Sequence, residues 1–522
     1  MKNKLIIFLS FVLFATTSCL KEDPPFLSDE NLFETDAGVQ TAVNGIYASV
    51  SGFNYYSSDF FQLTGYHSGS FMSGRNVDFN GIAALNPLPN LTFVENVWNA
   101  SYQAINRANE TIIGVEKYQE DPSDVVLNEL GQTYFLRGLM YYNLVRLYGG
   151  VPIRTGKLDI NELHIARSTE AEVYNQAISD LHMADSLLNE KEAQTLGRPA
   201  KSAANMLLAK IYMTLAGNDS NSEYWKMAET EALKVYGKYM LMPDYHQLWI
   251  EGTRNNNMES IFEMQYSMAN SGNVIRLHTP SNAFSGNSWG RILINPEYVD
   301  PDTDKIALGA FDQQDPRFEA TIMYNYMKYN NDGTENGEQK IYPITNRNNK
   351  NSGFPFVAKY WINDHTKTTP YSDANFTVMR YAELLLMLGE ISNELGKTGE
   401  GETYVNEVLN RARNSAGGDG IHPIDWSGLT QDEFRTKIMN EYRYELLGEG
   451  GDWFRNRRRG LEFFQNNIIN FHNDFVLTDG EGEVKGIDIF YENAERAMLL
   501  PIPATEINTN QLIGSEHQNP GY

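Results

Sequence analysis

The chain holds a single cysteine, Cys19, in 522 residues. That excludes an internal disulfide and any metal site built on several thiolates. Positive charge is also scarce: 42 Lys and Arg face 67 Asp and Glu, for a formal net charge of -25. A surface of that sign repels phosphate, so nucleic acid is not an expected partner. Beyond the first residues no stretch approaches about 18 unbroken apolar side chains, the length a membrane-crossing helix needs. No H-E-x-x-H zinc motif and no G-x-x-x-x-G-K phosphate loop occurs. What is plentiful is aromatic: 12% of residues, with 30 Tyr and 7 Trp. That supply is generous, and aromatics that do not fit in a core must sit on a surface.

The position of the cysteine is informative. Lys2 and Lys4 form a basic start, Leu5 to Ala15 is apolar apart from Ser10, and Thr16-Thr17-Ser18 are small. This is the layout of a secretory leader. A cysteine directly after the small residues resembles a bacterial lipobox, which predicts a removed leader (1–18), a lipidated Cys19, and a tether running over 19–36. Leu20-Lys21-Glu22-Asp23 resembles a surface-export signal of Bacteroidota lipoproteins, and Pro24-Pro25 suits a linker.

Helices dominate the expected fold, and they come in pairs. Thr41 opens a helix whose partner is Trp98 to Tyr118. Val125 to Tyr148 pairs with Glu170 to Leu188, Ser202 to Ala216 with Tyr224 to Tyr236, and Arg380 to Leu395 with Thr403 to Arg413. Tyr381, Leu384, Leu385, Leu388, Ile391 and Leu395 fall on one stripe of a 3.6-residue helix. Thr169 with Glu172, and Thr430 with Glu433, have capping-box spacing. Gly149-Gly150 and Pro152 stop one helix. Gly45, Gly138, Ala209 and Gly389 sit mid-helix, where small residues admit a close neighbour. The plan is tetratricopeptide-like: a mainly α fold, an α-α superhelix of four helix pairs. Residues 51–94 and 149–168 read as insertions. Residues 240–378 carry Asn, Gly, Ser, Pro, aromatics and short strand-like runs (Ser260 to Tyr266, Phe356 to Ile362), and read as an irregular, loop-rich second layer. Residues 415–522 add one more helix, Gln431 to Leu447. The expected division is 37–239 with three helix pairs, 240–378 facing the ligand, and 379–522 with the fourth pair.

Several motifs resemble the SusD-like (RagB/SusD) family, in that family's order. They are Arg137-Gly138-Leu139-Met140-Tyr141-Tyr142-Asn143 running to Leu147-Tyr148-Gly149-Gly150-Val151-Pro152, Gly197-Arg198-Pro199-Ala200-Lys201, Asp315-Pro316-Arg317, Arg380-Tyr381-Ala382-Glu383, Leu500-Pro501-Ile502-Pro503 and the terminal Asn519-Pro520-Gly521-Tyr522. Tyr442 and Asp452 stand where the family usually has Arg, which puts the local ion pairing in question. The Arg455, Arg457, Arg458, Arg459 cluster is expected to pair with nearby acids. The resemblance implies a lipid-anchored protein on the outer face of the outer membrane, without cofactor or catalysis. Its implied partners are a glycan and a SusC-like TonB-dependent transporter. A RagB-type peptide binder is the alternative, and a surface glycoside hydrolase the second.

A sugar presents flat C–H faces and a rim of hydroxyls, which suit aromatic rings and Asn, Asp or Arg respectively. Residues 53–78 and 284–291 combine both types. The expected ligand contacts are Tyr66, Arg75, Asp78, Asn287 and Trp289. Gly286-Asn287-Ser288-Trp289-Gly290 matches a hydrolase elbow in letters but lacks the preceding strand and following helix that elbow requires. Asp300, Asp302 and Asp304 resemble the start of a calcium loop, yet Lys305 and Phe311 stand where its glycine and last acid belong, so no bound metal is expected.

Overall fold

The computed structural model describes residues 29–73, 81–157, 159, 162–269, 272–275, 290, 292–298, 314–323, 325–330, 332–340, 355–360, 371–478, 483–485 and 490–522. The helices α1 (Asp29–Phe33), α2 (Asp36–Ser51), α3 (Asp59–Tyr66) and, after strand β1 (Phe71–Ser73), α4 (Thr92–Tyr118) open it. Then follow α5 (Asp124–Tyr148), α6 (Glu170–Leu187), α7 (Lys201–Ala216) and α8 (Tyr224–Leu233). The strand-bearing middle contains β2 (Ser260–Met264), β3 (Ile292–Ile294), α9 (Arg317–Thr321), β4 (Ile322–Met323), β5 (Asn325–Tyr329), β6 (Glu335–Lys340), β7 (Phe356–Val357) and β8 (Phe376–Arg380). The last part contains α10 (Tyr381–Glu394), α11 (Thr398–Arg413), α12 (Gln431–Leu446) and α13 (Asp452–Arg457), then short helical turns and a β-ribbon, Val476–Thr478 with Glu483–Lys485.

Four hairpins stack in sequence. α2 packs on α4, α5 on α6, α7 on α8 and α10 on α11, while α4–α5, α6–α7 and α8–α10 contacts join one pair to the next. This is the expected superhelix. Both predicted capping boxes form, at Thr169 with Glu172 and at Thr430 with Glu433. Gly149, at φ 73°, ends α5. A Cβ on Gly138 would lie 3.1 Å from Leu181 Cγ of α6, and one on Gly389 would lie 2.7 Å from Val405 Cγ2 of α11. These two glycines therefore admit a partner helix. Gly45 does not: its nearest neighbour is the Arg107 Cδ at 4.0 Å.

Some expectations change. The stretch 51–94, read as an insertion, contains the fully buried helix α3, and its aromatics form part of the main core. Helix α1 lies inside the stretch read as linker and buries Phe33. The fourth pair's second helix begins at Thr398 rather than Thr403. Helix α10 is buried on every side, not along one stripe, because the helical stack covers one face and the C-terminal helices the other. The C-terminal motif closes onto the end of α5: Asn519 Nδ2 donates to Tyr148 O (2.8 Å) and Leu500 O (2.6 Å), and Leu500 N donates to Leu147 O (2.8 Å). Two sequence motifs 350 residues apart are thus one structural unit. Among the described residues no helix is long and apolar enough to cross a membrane.

Candidate functional site

A four-stranded antiparallel sheet, in the order β1-β3-β7-β4, stands beside the helical stack. Its register sets Phe71 opposite Ile294, Met72 opposite Leu293 and Ser73 opposite Ile292. The chain leaves β1 at Ser73 and enters β3 at Ile292, so two segments far apart in sequence root at the same end of one ribbon. Strand β7 runs antiparallel to β3, with Leu293 opposite Phe356, so the chain beyond Val357 also exits toward that end. Arg75 and Asp78 lie two and five residues past Ser73; Trp289 and Asn287 lie three and five before Ile292. These four, and Cys19, fall outside the described residues, as do Ser288 and Asp300 to Asp304.

Tyr66 is described, and it belongs to the core. It is 1% exposed within α3, so the chain itself covers the ring that a sugar would stack upon. Its neighbours Tyr55, Tyr56, Phe60, Phe61 and Phe71 are buried too, while Phe53 is exposed. The tyrosines 55 and 56 accept hydrogen bonds from Asn143 at 3.1 Å each, tying this aromatic block to α5.

The far end of the ribbon is fixed by a buried polar cluster. Asn295 N donates to Ser70 O at 2.9 Å, and its amide donates to Gly69 O at 2.7 Å and to the Tyr491 hydroxyl at 3.1 Å. The His472 ring stacks on Tyr491 with centroids 4.0 Å apart and sits 2.6 Å from Glu297 Oε1. Burial, reinforced by the Glu297 charge, holds the Tyr491 phenol well above its ordinary range. Gly69 turns at φ 77°, and a Cβ there would meet Ile468 Cγ2 at 2.3 Å. No side chain fits, so the approach of β1 to the C-terminal helices demands glycine.

A second buried network ties the sheet to the helices, and sequence reasoning missed it. Arg317, at the head of α9, contacts Asp315 (2.6 Å), Glu441 (2.6 Å) and Glu445 (2.9 Å). Arg380, between β8 and α10, contacts Glu445 (2.6 Å), Glu449 (2.7 Å) and Glu259 (3.1 Å). Arg411 pairs with Glu259 and Glu445. Lys359, just past β7, reaches Glu449 at 2.7 Å. Burial alone would raise the Glu445 carboxyl; Arg411, Arg380 and Arg317 outweigh it and hold it well below the usual range. Burial lowers the Lys359 ammonium to about 8, against the pull of Glu449. The visible traces of this network were the Asp315-Pro316-Arg317 motif and two glutamates, Glu441 and Glu445, one helical turn apart on α12.

The replacements that put ion pairing in question leave it intact. Tyr442 donates to Glu390 at 3.0 Å, and Asp452 pairs with Arg455 at 2.7 Å. Arg458 and Arg459 pair with Glu390. Arg457 departs from the expected pairing with acids: it donates to the main-chain oxygens of Arg146 and Met498. Among the described residues no cluster of His, Cys, Asp and Glu could hold a metal ion.

Comparison with known proteins follows this geometry. A family model described as the SusD family matches residues 212–522, and one described as starch-binding associating with outer membrane matches residues 26–213. SusD-like protein P2 of Formosa agariphila is 28% identical over 552 residues, covering 100% of both chains. A crystal structure of a SusD homolog from Bacteroides thetaiotaomicron superposes with a TM-score of 0.78 at 21% identity, covering 95% of this chain and 98% of that one. A further crystal structure, with xylogluco-oligosaccharide, gives a TM-score of 0.71 at 18% identity, covering 91% and 98%. At those identities the structural likeness concerns the fold.

Proposed function

The chain belongs to the SusD family, and on that footing we propose that it is a glycan-binding lipoprotein that captures oligosaccharide for a SusC-like TonB-dependent transporter. The observation that carries this reading is the Ser73–Ile292 register, which roots the segments bearing Arg75, Asp78, Asn287 and Trp289 side by side. Rings and polar side chains of this kind suit a sugar's faces and hydroxyls. In this reading Tyr66 is part of the core rather than a ligand contact. A family model named for starch binding and outer-membrane association, and a structural relative crystallised with a xylogluco-oligosaccharide, support the same ligand class. Cys19 carries the lipid that anchors the chain to the outer membrane, and the ligand face turns outward toward the transporter's mouth.

The protein binds rather than cleaves. A glycosidase needs two carboxyls flanking the scissile bond. Of the buried acids near the sheet, Glu441, Glu445 and Glu449 are instead committed to arginine and lysine partners, and Glu297 to His472. Purified protein incubated with a panel of polysaccharides tests both statements. Retention with the polymer's length unchanged is the expected result. Release of oligosaccharides would overturn the binding-only reading, and retention of peptides but no glycan would favour the RagB-type alternative.

A further inference from the structure

The chain beyond α5 folds back along α4 and leaves a groove of about 540 Å³ between them. Half-buried Tyr102 and Ile153 line its floor, and the Trp98 ring, itself buried in the core, packs beneath Tyr102 with centroids 5.1 Å apart and a tilt of 48°. Asn99, Asn106 and Arg154 stand around it.

The groove's wall is held from behind. Tyr102 donates to Pro152 O at 2.8 Å. The Tyr141 hydroxyl donates to Arg154 O (2.6 Å) and accepts from Arg154 N (2.8 Å). Asn109 donates to Arg154 O (3.0 Å) and Gly156 O (3.2 Å). Its own oxygen accepts from Arg137 at 2.7 Å, and Arg137 forks onto Asp180 at 2.6 and 2.9 Å. A buried ion pair therefore positions the loop through Asn109, and nothing inside the groove is needed to keep it open. Such support from behind is what a preformed binding site requires.

The groups left over decide the ligand. The Asn99 side chain is exposed and makes no hydrogen bond among the described residues, and Asn106 uses only its amide nitrogen, toward Glu110 at 3.1 Å. The cations are engaged: Arg154 donates to the Glu162 and Leu163 carbonyls, and Lys157 pairs with Asp29 at 2.9 Å. A groove with one accessible ring, Tyr102, a neutral amide free at Asn99, no unpaired cation among the described residues and the carboxylates Asp159, Glu162 and Glu506 in its lining suits a hydroxylated ring and not an anion.

The groove is also separate from the sheet-rooted face. A helix turns about 100° per residue, so Trp98, Asn99, Tyr102, Asn106 and Asn109 share one side of α4. Asn96 and Arg107 turn the other way, where Asn96 meets Asp59 of α3 at 2.8 Å and Arg107 meets Ser49 of α2 at 2.8 Å. We infer that the α4 groove is a second saccharide subsite, taking one pyranose unit of a glycan against Tyr102, with Asn99 and Asn106 as hydroxyl partners. The inference rests on the glycan-binding reading and adds a site to it.

Calorimetric titration of the mature protein with maltoheptaose, laminarihexaose and a xyloglucan heptasaccharide tests it. The probe that binds should show two sites per chain. Tyr102→Ala should weaken one site by about tenfold, the worth of one good contact, while Tyr102→Phe, which keeps the ring, stays within about threefold. Asn99→Ala should weaken the same site several-fold, and among the described residues it removes no internal hydrogen bond. Trp289→Ala should leave that site intact. A single site in the wild type, unchanged in Tyr102→Ala and Asn99→Ala, would overturn the groove while leaving glycan binding standing. Absence of binding for every probe would overturn glycan binding itself, and the groove with it.

Discussion

Arg317 shows how much can hang on one side chain. It has no exposed surface and three carboxylates within 3 Å. Removing one partner of a buried charge network leaves the others unpaired, at a cost of about 3–5 kcal/mol. Arg317→Ala should lose stability on that order in urea unfolding, and Arg317→Lys should recover only part of it, because an ammonium cannot fork onto Asp315 while reaching Glu441. The motif around Arg317 was visible in the sequence, but its purpose was not, because Glu441 and Glu445 are more than 120 residues away. His67 gives a second prediction. Its imidazole is buried against Trp453, and burial lowers it to about 3, with partial opposition from the Ile82 backbone. The unfolded ring takes a proton near 6.5, so between about 6.5 and 3 the unfolded state binds more protons and stability falls as pH falls, by up to about 1.4 kcal/mol per unit. Urea titrations between pH 7 and 5 should show that slope, and His67→Gln should flatten it. Glu390, Glu445 and Glu449, whose carboxyls are held down, add their own loss only below their ordinary value of 4.5.

Among helices and strands, the ends were easier to read than the faces. Capping is local, so Thr169–Glu172 and Thr430–Glu433 announce themselves within four residues. Burial is not local: the apolar stripe of α10 gave no sign that its polar side is covered as well, by elements later in the chain. The short strands of the sheet were harder still, since β1 finds its partner more than 200 residues on. Mid-helix glycines divide into two kinds that the sequence does not distinguish. Gly389→Val should cost about 1–3 kcal/mol, because Val405 already occupies the space a side chain would enter. Gly45→Ala should be stabilising by about 0.5–1 kcal/mol, because a Cβ there meets only the Arg107 Cδ at 4.0 Å and the helix loses a flexible residue. Denaturant midpoints of the two variants, compared with wild type, check both signs.

Taken together, the chain is a stack of helical hairpins that holds a small sheet by buried charge, and the sheet gathers segments from distant parts of the sequence. The stack was legible because each hairpin carries its own periodicity and caps. The candidate site was legible only as composition. Counting aromatics picked out 53–78, yet most of its described rings turned out to pack the core, since a ring placed on a helix beside α4 and α5 is covered whatever its chemistry. Register, which a sequence does not display, is what brings Ser73 and Ile292, the last described residues before the two proposed ligand-contact stretches, opposite one another. The proposed anchoring has its own check: if Cys19 carries the lipid, Cys19→Ser should remove the protein from the outer-membrane fraction and leave the leader uncleaved.

The central claim is that Arg75 and Trp289, carried on segments rooted at Ser73 and Ile292, grip one glycan together. A double-mutant cycle on affinity for the best-bound oligosaccharide, with thermal unfolding as a folding control, measures this directly. Arg75→Ala and Trp289→Ala should each weaken binding at the sheet-rooted site at least tenfold, with a coupling of about 0.5–3 kcal/mol and the melting temperature unchanged. Full affinity in the double variant, in a chain that melts as the wild type does, would contradict it.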